Sequence, residues 1–333
     1  MALPRLAIYS RTTPPEDPSK KVVEVDGMVV GLRAQVVGVL DHHRSGRHVN
    51  LDEVPDRVEE NILQADEYAT PQLDTDFLIS AVVTRLGGKA SIDPAILRVL
   101  YSASEWCDYL QTNEVDSAIK NQGLGLHLYL LKTGFALRDK LCQEKGEQKN
   151  GRPDPSDETM TIIANALGDA LEIAIRSGDL GPMIDTAYLS EKDAMQTRFK
   201  EAVQRNDDTL ALVILQKGER IDPLFSYELV NGLVMITAID MGEEDGRPST
   251  QYTIGANPKH YGHLDLRPLI DVFNAQDPNV LAQAEKGIPT KDQKRWGGRS
   301  AAFGSPFGVN SGLLPEQVAQ IVEQNLSKCE KKG

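Results

Sequence analysis

The chain has 333 residues, with 36 basic and 49 acidic side chains and a formal net charge of −13. Domains usually contain about 100–200 residues, so this length predicts two of them. The acidic surplus disfavours long nucleic acid, which proteins bind by neutralising phosphates with Lys and Arg. Three distant cysteines indicate neither a disulfide framework nor a thiolate zinc site. No apolar run approaches the roughly 20 residues that span a bilayer, so we expect a cytoplasmic protein with no membrane segment.

Two short β-branched runs come first, over residues 22–25 and 36–40. They predict buried strands of a parallel sheet. An aspartate follows each run, at Asp26 and Asp41. In open α/β sheets, ligands collect beyond the carboxyl ends of strands, so these two carboxylates are placed as in a binding site.

The middle of the chain predicts helices, and the last third predicts mixed structure. We expect Gly123 and Gly125 to break or kink the fourth helix. The expected class is α/β, with a parallel-sheet domain over 1–146, a helical connection over 147–206 and a smaller α/β domain over 207–333. In chain order, the predicted elements are helices over 53–68, 76–87, 94–110 and 115–147, a linker or loop over 146–158, helices over 159–175 and 191–204, strands over 210–215, 233–237 and 251–254, a helix over 266–274, a Gly-rich loop over 296–312 and a helix over 315–326.

The most informative tripeptide is Asp41-His42-His43. Carboxylate and imidazole together suit divalent Mn, Zn, Fe or Co. Adjacent residues in a turn point to different sides, so one histidine can bind a metal while the other meets the substrate. The alternative interpretation is that both histidines begin an exposed polar loop.

This segment, with Arg44 after it and the strand before it, resembles the signature of the DHH phosphoesterase superfamily. That superfamily includes family II inorganic pyrophosphatases, RecJ-type exonucleases and oligoribonuclease/phosphoadenosine phosphatase enzymes. The stretches 68–87 and 92–110 are similar to the elements that follow the signature there. The C-terminal third is similar to the accessory DHHA1 domain. The resemblance implies metal ligation by Asp26, Asp41 and Asp108, with His42 or His43 as a metal ligand, a contact to the transferred group or an acid–base catalyst.

The chain departs from the family pattern at its first motif. No Asp-x-Asp sequence is evident before Asp26, although Asp74-Thr75-Asp76 occurs after the signature. Asp74 and Asp76 either cap a helix or replace the missing metal ligands. In the second case five carboxylates share one cleft, and their repulsion requires bound cations.

The Gly-rich loop and the residues just before it are basic in an otherwise acidic chain, with Lys291, Lys294, Arg295 and Arg299. The loop lacks the histidine of the family and has Arg299 nearby instead. Glycines let backbone N–H groups converge on an anion, and Arg grips phosphate at two points. Trp296 is a candidate for stacking on a base or sugar. The alternative is a solvated surface loop. The residues predicted to contact the substrate are Arg44, His260, His263, Gly297, Gly298, Arg299 and Ser300, with Arg299 also counted among the catalytic groups.

The sequence therefore predicts a metal-dependent hydrolase of a small phosphorylated or otherwise anionic substrate. Mn²⁺ is the expected cofactor, with Zn²⁺, Fe²⁺, Co²⁺ and Mg²⁺ as alternatives. Two other hypotheses stay open: a one-metal enzyme acting on a non-phosphate metabolite, and an inactive binding protein of the same fold. Homodimerisation is left open as well.

Overall fold

The chain forms two compact units. The first comprises the described residues of Met1–Asp108 and Thr112–Tyr188, and the second those of Tyr109–Gln111 and Leu189–Gly333. Residues 147–188, predicted as part of a connection, thus belong to the first unit. The structure is a computed structural model that describes residues 3–10, 17–45, 48–110, 112–149, 151–244, 246–260, 264–289, 291–306 and 308–330.

A four-stranded parallel sheet forms the centre of the first unit. Its strands are β1 (Arg5–Ile8), β2 (Lys21–Val25), β3 (Gln35–Leu40) and β4 (Glu67–Thr70). They lie in the order β1-β4-β2-β3, and every neighbouring pair is parallel. The three strands β1, β4 and β2 are almost wholly buried, whereas β3 is a half-exposed edge. The carboxyl ends of all four strands meet at one edge, as the predicted α/β class requires.

The helices of the first unit pack around this sheet. Helix α3 is buried along its whole length. Helix α6 lies against β1, where Asn165 accepts a hydrogen bond from Leu6 N at 3.1 Å and donates one to Leu6 O at 2.8 Å. The elements are α1 (His42–Ser45), α2 (Glu60–Leu63), α3 (Thr75–Arg85), α4 (Pro94–Tyr109), α5 (Ser117–Lys145), the hairpin strands β5 (Gln148–Lys149) and β6 (Arg152–Pro153), and α6 (Asp157–Ser177).

The predicted helix over 53–68 is wrong, because the structure has the short α2 and then β4 in that region. Strand β4 has only four residues and begins with a charged one, so its pattern is too short to indicate a strand. The buried Glu67 accepts hydrogen bonds from Tyr9 Oη at 2.7 Å and Lys20 Nζ at 2.5 Å. Both donors are more than 40 residues away in sequence.

The predicted break in α5 is also wrong, because the helix runs continuously for 29 residues. A Cβ atom on Gly123 would lie 2.3 Å from Ser102 Oγ, and one on Gly125 would lie 2.7 Å from Ile184 Cγ2. The two glycines therefore permit close packing instead of breaking the helix.

The second unit contains a six-stranded mixed sheet in the order β11-β12-β10-β9-β8-β7. Only β8 and β9 are parallel neighbours among the described strands. Its core contains Ile236, Ile254, Phe273 and Val322. The predicted smaller α/β unit is confirmed. Its elements are α7 (Tyr188–Ala202), β7 (Val203–Asn206), β8 (Leu210–Leu215), α8 (Pro223–Ser226), β9 (Val234–Glu244), β10 (Arg247–Ala256), α9 (Arg267–Gln276), α10 (Pro278–Glu285), β11 (Gly297–Gly298), β12 (Ala302–Gly304) and α11 (Pro315–Asn325).

In the parts of the chain that the structure describes, no helix combines the length and the apolar character needed to cross a bilayer.

Candidate metal centre

Asp26 comes directly after β2, at the carboxyl edge of the first sheet. Its N–H donates to Leu40 O at 2.8 Å, which links the ends of β2 and β3. Its φ is 51°, a left-handed conformation that Asp and Asn adopt more readily than other residues with a side chain. This turn directs a buried carboxylate toward the residues that follow β3.

His42 and His43 begin α1, immediately after β3. His42 is buried, and its Nε2 lies 3.3 Å from Asp26 Oδ1 and 3.5 Å from Asp108 Oδ2. His43 Nε2 lies 3.5 Å from Asp26 Oδ1, although 66% of its side chain is exposed. One imidazole is therefore enclosed among carboxylates, and the other is accessible to a substrate.

Asp76 and Asp108 reach the same place from two helices. Asp76 lies in the first turn of α3 and is fully buried, and Asp108 lies in the last turn of α4. The buried Asn50 connects this side to His42, since its N–H donates to Asp76 Oδ2 at 2.8 Å and its Oδ1 accepts from His42 N at 3.2 Å. Four separate segments of the chain thus converge on one point.

Three buried carboxylate oxygens in this group, Asp26 Oδ1, Asp76 Oδ1 and Asp108 Oδ2, accept no hydrogen bond from the described residues. Buried polar atoms are normally paired, because an unpaired one loses its hydration without compensation. Burial and the neighbouring carboxylate of Asp76 raise the pKa of Asp108 to about 10. Burial and the Asp26 carboxylate likewise raise the pKa of Asp76. The carboxylates of this group therefore disfavour one another's charged form.

Two overlapping sets of donor atoms in this group have the composition of a metal site. Asp26, His42 and His43 form one set, and His42, Asp76 and Asp108 form the other. Within each set, the donor atoms lie within 4.8 Å of one another. Carboxylate oxygen with imidazole nitrogen suits Mn²⁺, Zn²⁺ and Fe²⁺. The unpartnered oxygens and the donor types both fit a divalent cation.

Asp41, predicted as a metal ligand, is not in either set among the described residues. Its oxygens accept from His43 N at 3.1 Å and contact Arg44 Nε at 3.1 Å. Arg44 also contacts Glu24 Oε2 at 3.1 Å, so its predicted contact with substrate competes with two carboxylates of its own chain. These contacts make Arg44 and Asp41 a support for the turn that presents the histidines.

Asp74, the other carboxylate of the Asp-Thr-Asp sequence, occupies the N-cap of α3. One oxygen accepts from Phe77 N at 2.9 Å and the other from Gln72 Nε2 at 3.4 Å. It belongs to neither donor set in the described part of the chain. Burial, and then the charge of Asp26, raise the pKa of Asp74. Of the two interpretations of this sequence, Asp74 fits the helix cap, whereas Asp76 converges on the centre.

The Gly-rich loop of the second unit contains both exposed and buried residues. Gly297, Gly298 and Arg299 are exposed, and Arg299 N donates to Ala302 O at 2.7 Å. The predicted stacking of Trp296 on a base or sugar is wrong. Its indole is in the core, 4.4 Å from the Phe273 ring, and Nε1 donates to Asp277 Oδ2 at 2.7 Å.

Two further predicted contacts, His260 and Ser300, are half-buried. His260 N donates to Asn257 O at 2.8 Å at the end of a 3₁₀ turn. His263, the partner predicted for His260, lies outside the described residues.

Sequence reasoning missed Asn50 and Glu24. Each is a buried polar residue next to apolar neighbours, at Val49-Asn50-Leu51 and Val23-Glu24-Val25. Such an isolated polar residue is the signal that could have identified both, since burial of a polar group requires partners.

No family model and no curated protein matches this chain. Among solved structures, it is similar to the pGpG-specific phosphodiesterase PggH from Vibrio cholerae, with 14% identity over 93% of this chain and 98% of that one and a TM-score of 0.41. It is similar to the DHH domain of a member of a family of ribosomal proteins, with 11% identity over 88% and 64% of the two chains and a TM-score of 0.26. An uncharacterized protein from Helicobacter pylori shares 11% identity over 92% and 83%, with a TM-score of 0.23. These likenesses are remote, and the proposed function depends on the geometry of the centre.

Proposed function

We propose that this protein is a metal-dependent hydrolase of a small phosphorylated or otherwise anionic substrate, with Mn²⁺ as its cofactor. One observation carries the proposal: three buried carboxylate oxygens, for which the described residues supply no donor, converge with two imidazoles at the carboxyl edge of a parallel sheet. Such a cluster is costly unless a cation neutralises it. This destabilising cluster lies at the carboxyl edge of the sheet, which is where α/β folds bind ligands.

Each residue of the cluster has a separate task. Asp26, Asp76, Asp108 and His42 hold the cation, which when bound lowers the pKa of a water molecule and neutralises phosphoryl charge. Asn50 fixes the orientation of Asp76 and His42 from the opposite side. His43 is exposed and adjacent to Asp26, so it contacts the transferred group or carries its proton.

The Gly-rich loop supplies our proposed anion contact in the second unit. Arg299 is exposed there, next to the glycines of β11, and its guanidinium presents two parallel donors to phosphate. Gly297, Gly298, Ser300 and His260 stay in this proposal as further substrate contacts.

A one-metal enzyme is the second candidate, and one observation favours it. The two donor sets share His42, and a single imidazole nitrogen binds one ion. Elemental analysis of the Mn²⁺-loaded protein separates the candidates. Two ions per chain favour phosphoester chemistry with two metals, whereas one ion favours the alternative.

The test measures hydrolysis of bis(4-nitrophenyl) phosphate with and without Mn²⁺ in the wild type, His42→Ala and Asp26→Asn. Asn tolerates the left-handed conformation at this position, so Asp26→Asn removes charge while keeping the backbone. Both variants are expected to lose the Mn²⁺-stimulated rate and to retain their circular dichroism spectra. Asp193→Asn, an exposed carboxylate of α7, is the matched control. An undiminished rate in both variants would refute the proposal.

A further inference from the structure

A cavity of about 510 Å³ lies in the first unit among α3, α5 and α6. Small-molecule sites usually measure about 300–1,000 Å³, so its size suits an organic ligand with one or two rings. One face of α5 forms a wall, at Leu130, Leu131, Gly134 and Phe135, and α6 supplies Met160, Ile163 and Leu167. The i, i+3, i+4 spacing on both helices makes each wall continuous.

The cavity is apolar along these walls and polar at one end. Asp74, Thr75 and His127 line that end. His127 Nδ1 lies 3.0 Å from Thr75 Oγ1, and burial lowers the pKa of His127 to about 4. The imidazole is therefore neutral near pH 7 and offers a hydrogen bond without charge.

The polar end adjoins the metal centre. Thr75 precedes Asp76 in the chain, and Cys107, which also lines the cavity, precedes Asp108. The same two helices thus hold metal ligands on one side and form the cavity wall on the other. Asp74 lines the cavity and lies close enough to Asp26 for that carboxylate to raise its pKa, so the cavity begins beside the centre at Asp74.

The mouth of the cavity has two large apolar side chains that water reaches. Leu131 is 38% exposed and Phe135 is 48% exposed, although both line the cavity. The Arg138 guanidinium lies 4.8 Å from the centroid of the Phe135 ring. A flat ring beside a guanidinium is a surface on which an aromatic group stacks well.

We propose that this cavity binds the aromatic part of an organic phosphoester whose phosphate lies at the metal centre. The apolar walls reject a bare inorganic anion, and the neutral His127 accepts or donates one hydrogen bond at the inner end. The position of the phosphate rests on the proposed function, whereas aromatic binding in the cavity does not.

The cavity can be closed by one substitution. A Cβ on Gly134 would lie 3.5 Å from Leu167 Cδ1, which is an ordinary contact. The backbone therefore tolerates Gly134→Leu, and the rest of the leucine side chain fills the cavity. Phe135→Ala removes the stacking surface at an exposed position, where the fold is not at risk. Ala136→Leu on the same helix and Ile173→Ala, 69% exposed on α6, are matched controls outside the cavity.

The first measurement is fluorescence titration of metal-free protein with 1-anilinonaphthalene-8-sulfonate. Gly134→Leu is expected to weaken binding by about tenfold or more, and Phe135→Ala by about threefold to tenfold, from lost burial and stacking. The two controls are expected to match the wild type. Equal affinity in Gly134→Leu, Phe135→Ala and the wild type would overturn the cavity proposal.

The second measurement compares Mn²⁺-stimulated hydrolysis of bis(4-nitrophenyl) phosphate and of inorganic pyrophosphate. The expected result is a KM for the aromatic diester raised about tenfold in Gly134→Leu, with the rate on pyrophosphate retained. A parallel loss on both substrates would contradict the cavity proposal. Absence of metal-stimulated hydrolysis in every protein would count against the proposed function instead, and the fluorescence titration would then decide on the cavity.

Discussion

Both units contain buried acid groups, and these differ in what surrounds them. In the second unit, Asp277 is fully buried and each oxygen has donors: Oδ2 accepts from Trp296 Nε1 at 2.7 Å, and Oδ1 accepts from Asn279 N at 2.9 Å and Gly312 N at 3.0 Å. In the first unit, Asp76 Oδ1 and Asp108 Oδ2 are buried without a donor among the described residues.

The difference separates a carboxylate that the fold satisfies by hydrogen bonds from the carboxylates that we propose as metal ligands. A carboxylate with a full set of donors stabilises its surroundings, and the chain around Asp277 connects α10, the Gly-rich loop and the start of α11. Buried carboxylate oxygens that lack a donor destabilise a protein until a cation binds. Burial alone does not distinguish the two, whereas the count of donors does.

The largest expected effect comes from Asp108→Asn. Loss of a charged metal ligand should reduce the Mn²⁺-stimulated kcat by about 10³-fold, or ~4 kcal/mol in the barrier. Burial raises the pKa of Asp108 to about 10, so the metal-free protein must protonate this group in order to fold at pH 7, and removal of the acid should raise its stability by roughly 2 kcal/mol. Steady-state kinetics measures the change in kcat, and urea unfolding with EDTA measures the stability of the metal-free protein. A variant less stable than the metal-free wild type would contradict the distinction between carboxylates with donors and those that lack them.

Asp277→Ala should show the opposite behaviour. Its loss leaves the Trp296 indole N–H and two backbone N–H groups buried without an acceptor, which costs about 3 kcal/mol. Mn²⁺ affinity of the first unit should stay at the wild-type value. Urea unfolding and a Mn²⁺ titration measure these quantities, with the exposed Asp271→Ala as control. Weakened Mn²⁺ binding would show that Asp277 is more than structural.

His127 is an intermediate case, a buried titratable group hydrogen-bonded to Thr75. Its folded pKa of about 4 lies below the ordinary value of 6.5, so the unfolded chain binds more protons between these pH values. Stability is therefore complete above pH 6.5 and falls as the pH decreases, by about 2 kcal/mol between pH 7 and pH 5. The stability of His127→Gln should lack this part of the dependence on pH. Chemical unfolding at a series of pH values tests it, and equal slopes would contradict the assignment.

The smallest expected effect is that of Arg44→Gln. Without the guanidinium, Asp41 and Glu24 lose the cation that contacts both of them, and the turn that carries the histidines loses one of its supports. We expect Mn²⁺ to bind about tenfold more weakly, or ~1.4 kcal/mol, as for other residues that orient metal ligands. Isothermal titration with Mn²⁺ measures the change, and the exposed Arg57→Gln serves as control. An affinity equal to that of the control would leave Arg44 free for substrate.

The parts of the fold with long or strongly β-branched patterns were predictable. Strands β2, β3 and β8 and the helices α4, α6 and α11 lie close to their predicted bounds. Strands β1 and β4 were not predicted, because four-residue segments show no clear period and the partners of Glu67 are distant in sequence.

The sequence predicted most residues of the candidate site, but it did not predict what each of them contacts. The sequence named Asp26, His42, His43, Asp76 and Asp108, which the structure brings together. It could not show that Asp41 pairs with Arg44 or that Asp74 caps α3, since a carboxylate with local donors and one without them look alike in sequence. Nor could it show Asn50 between them.

The three glycines of α5 limit how this protein could be engineered. Exchange of a helical glycine for alanine ordinarily raises helix propensity by about 1 kcal/mol, which makes such sites attractive for thermostabilisation. At Gly123 and Gly125 a methyl group would collide with the neighbouring segments, so the gain in propensity is lost to crowding. Gly134 alone among the three has room, and that room opens toward the cavity. A substitution that stabilises this helix at Gly134 would therefore reduce the volume of the cavity.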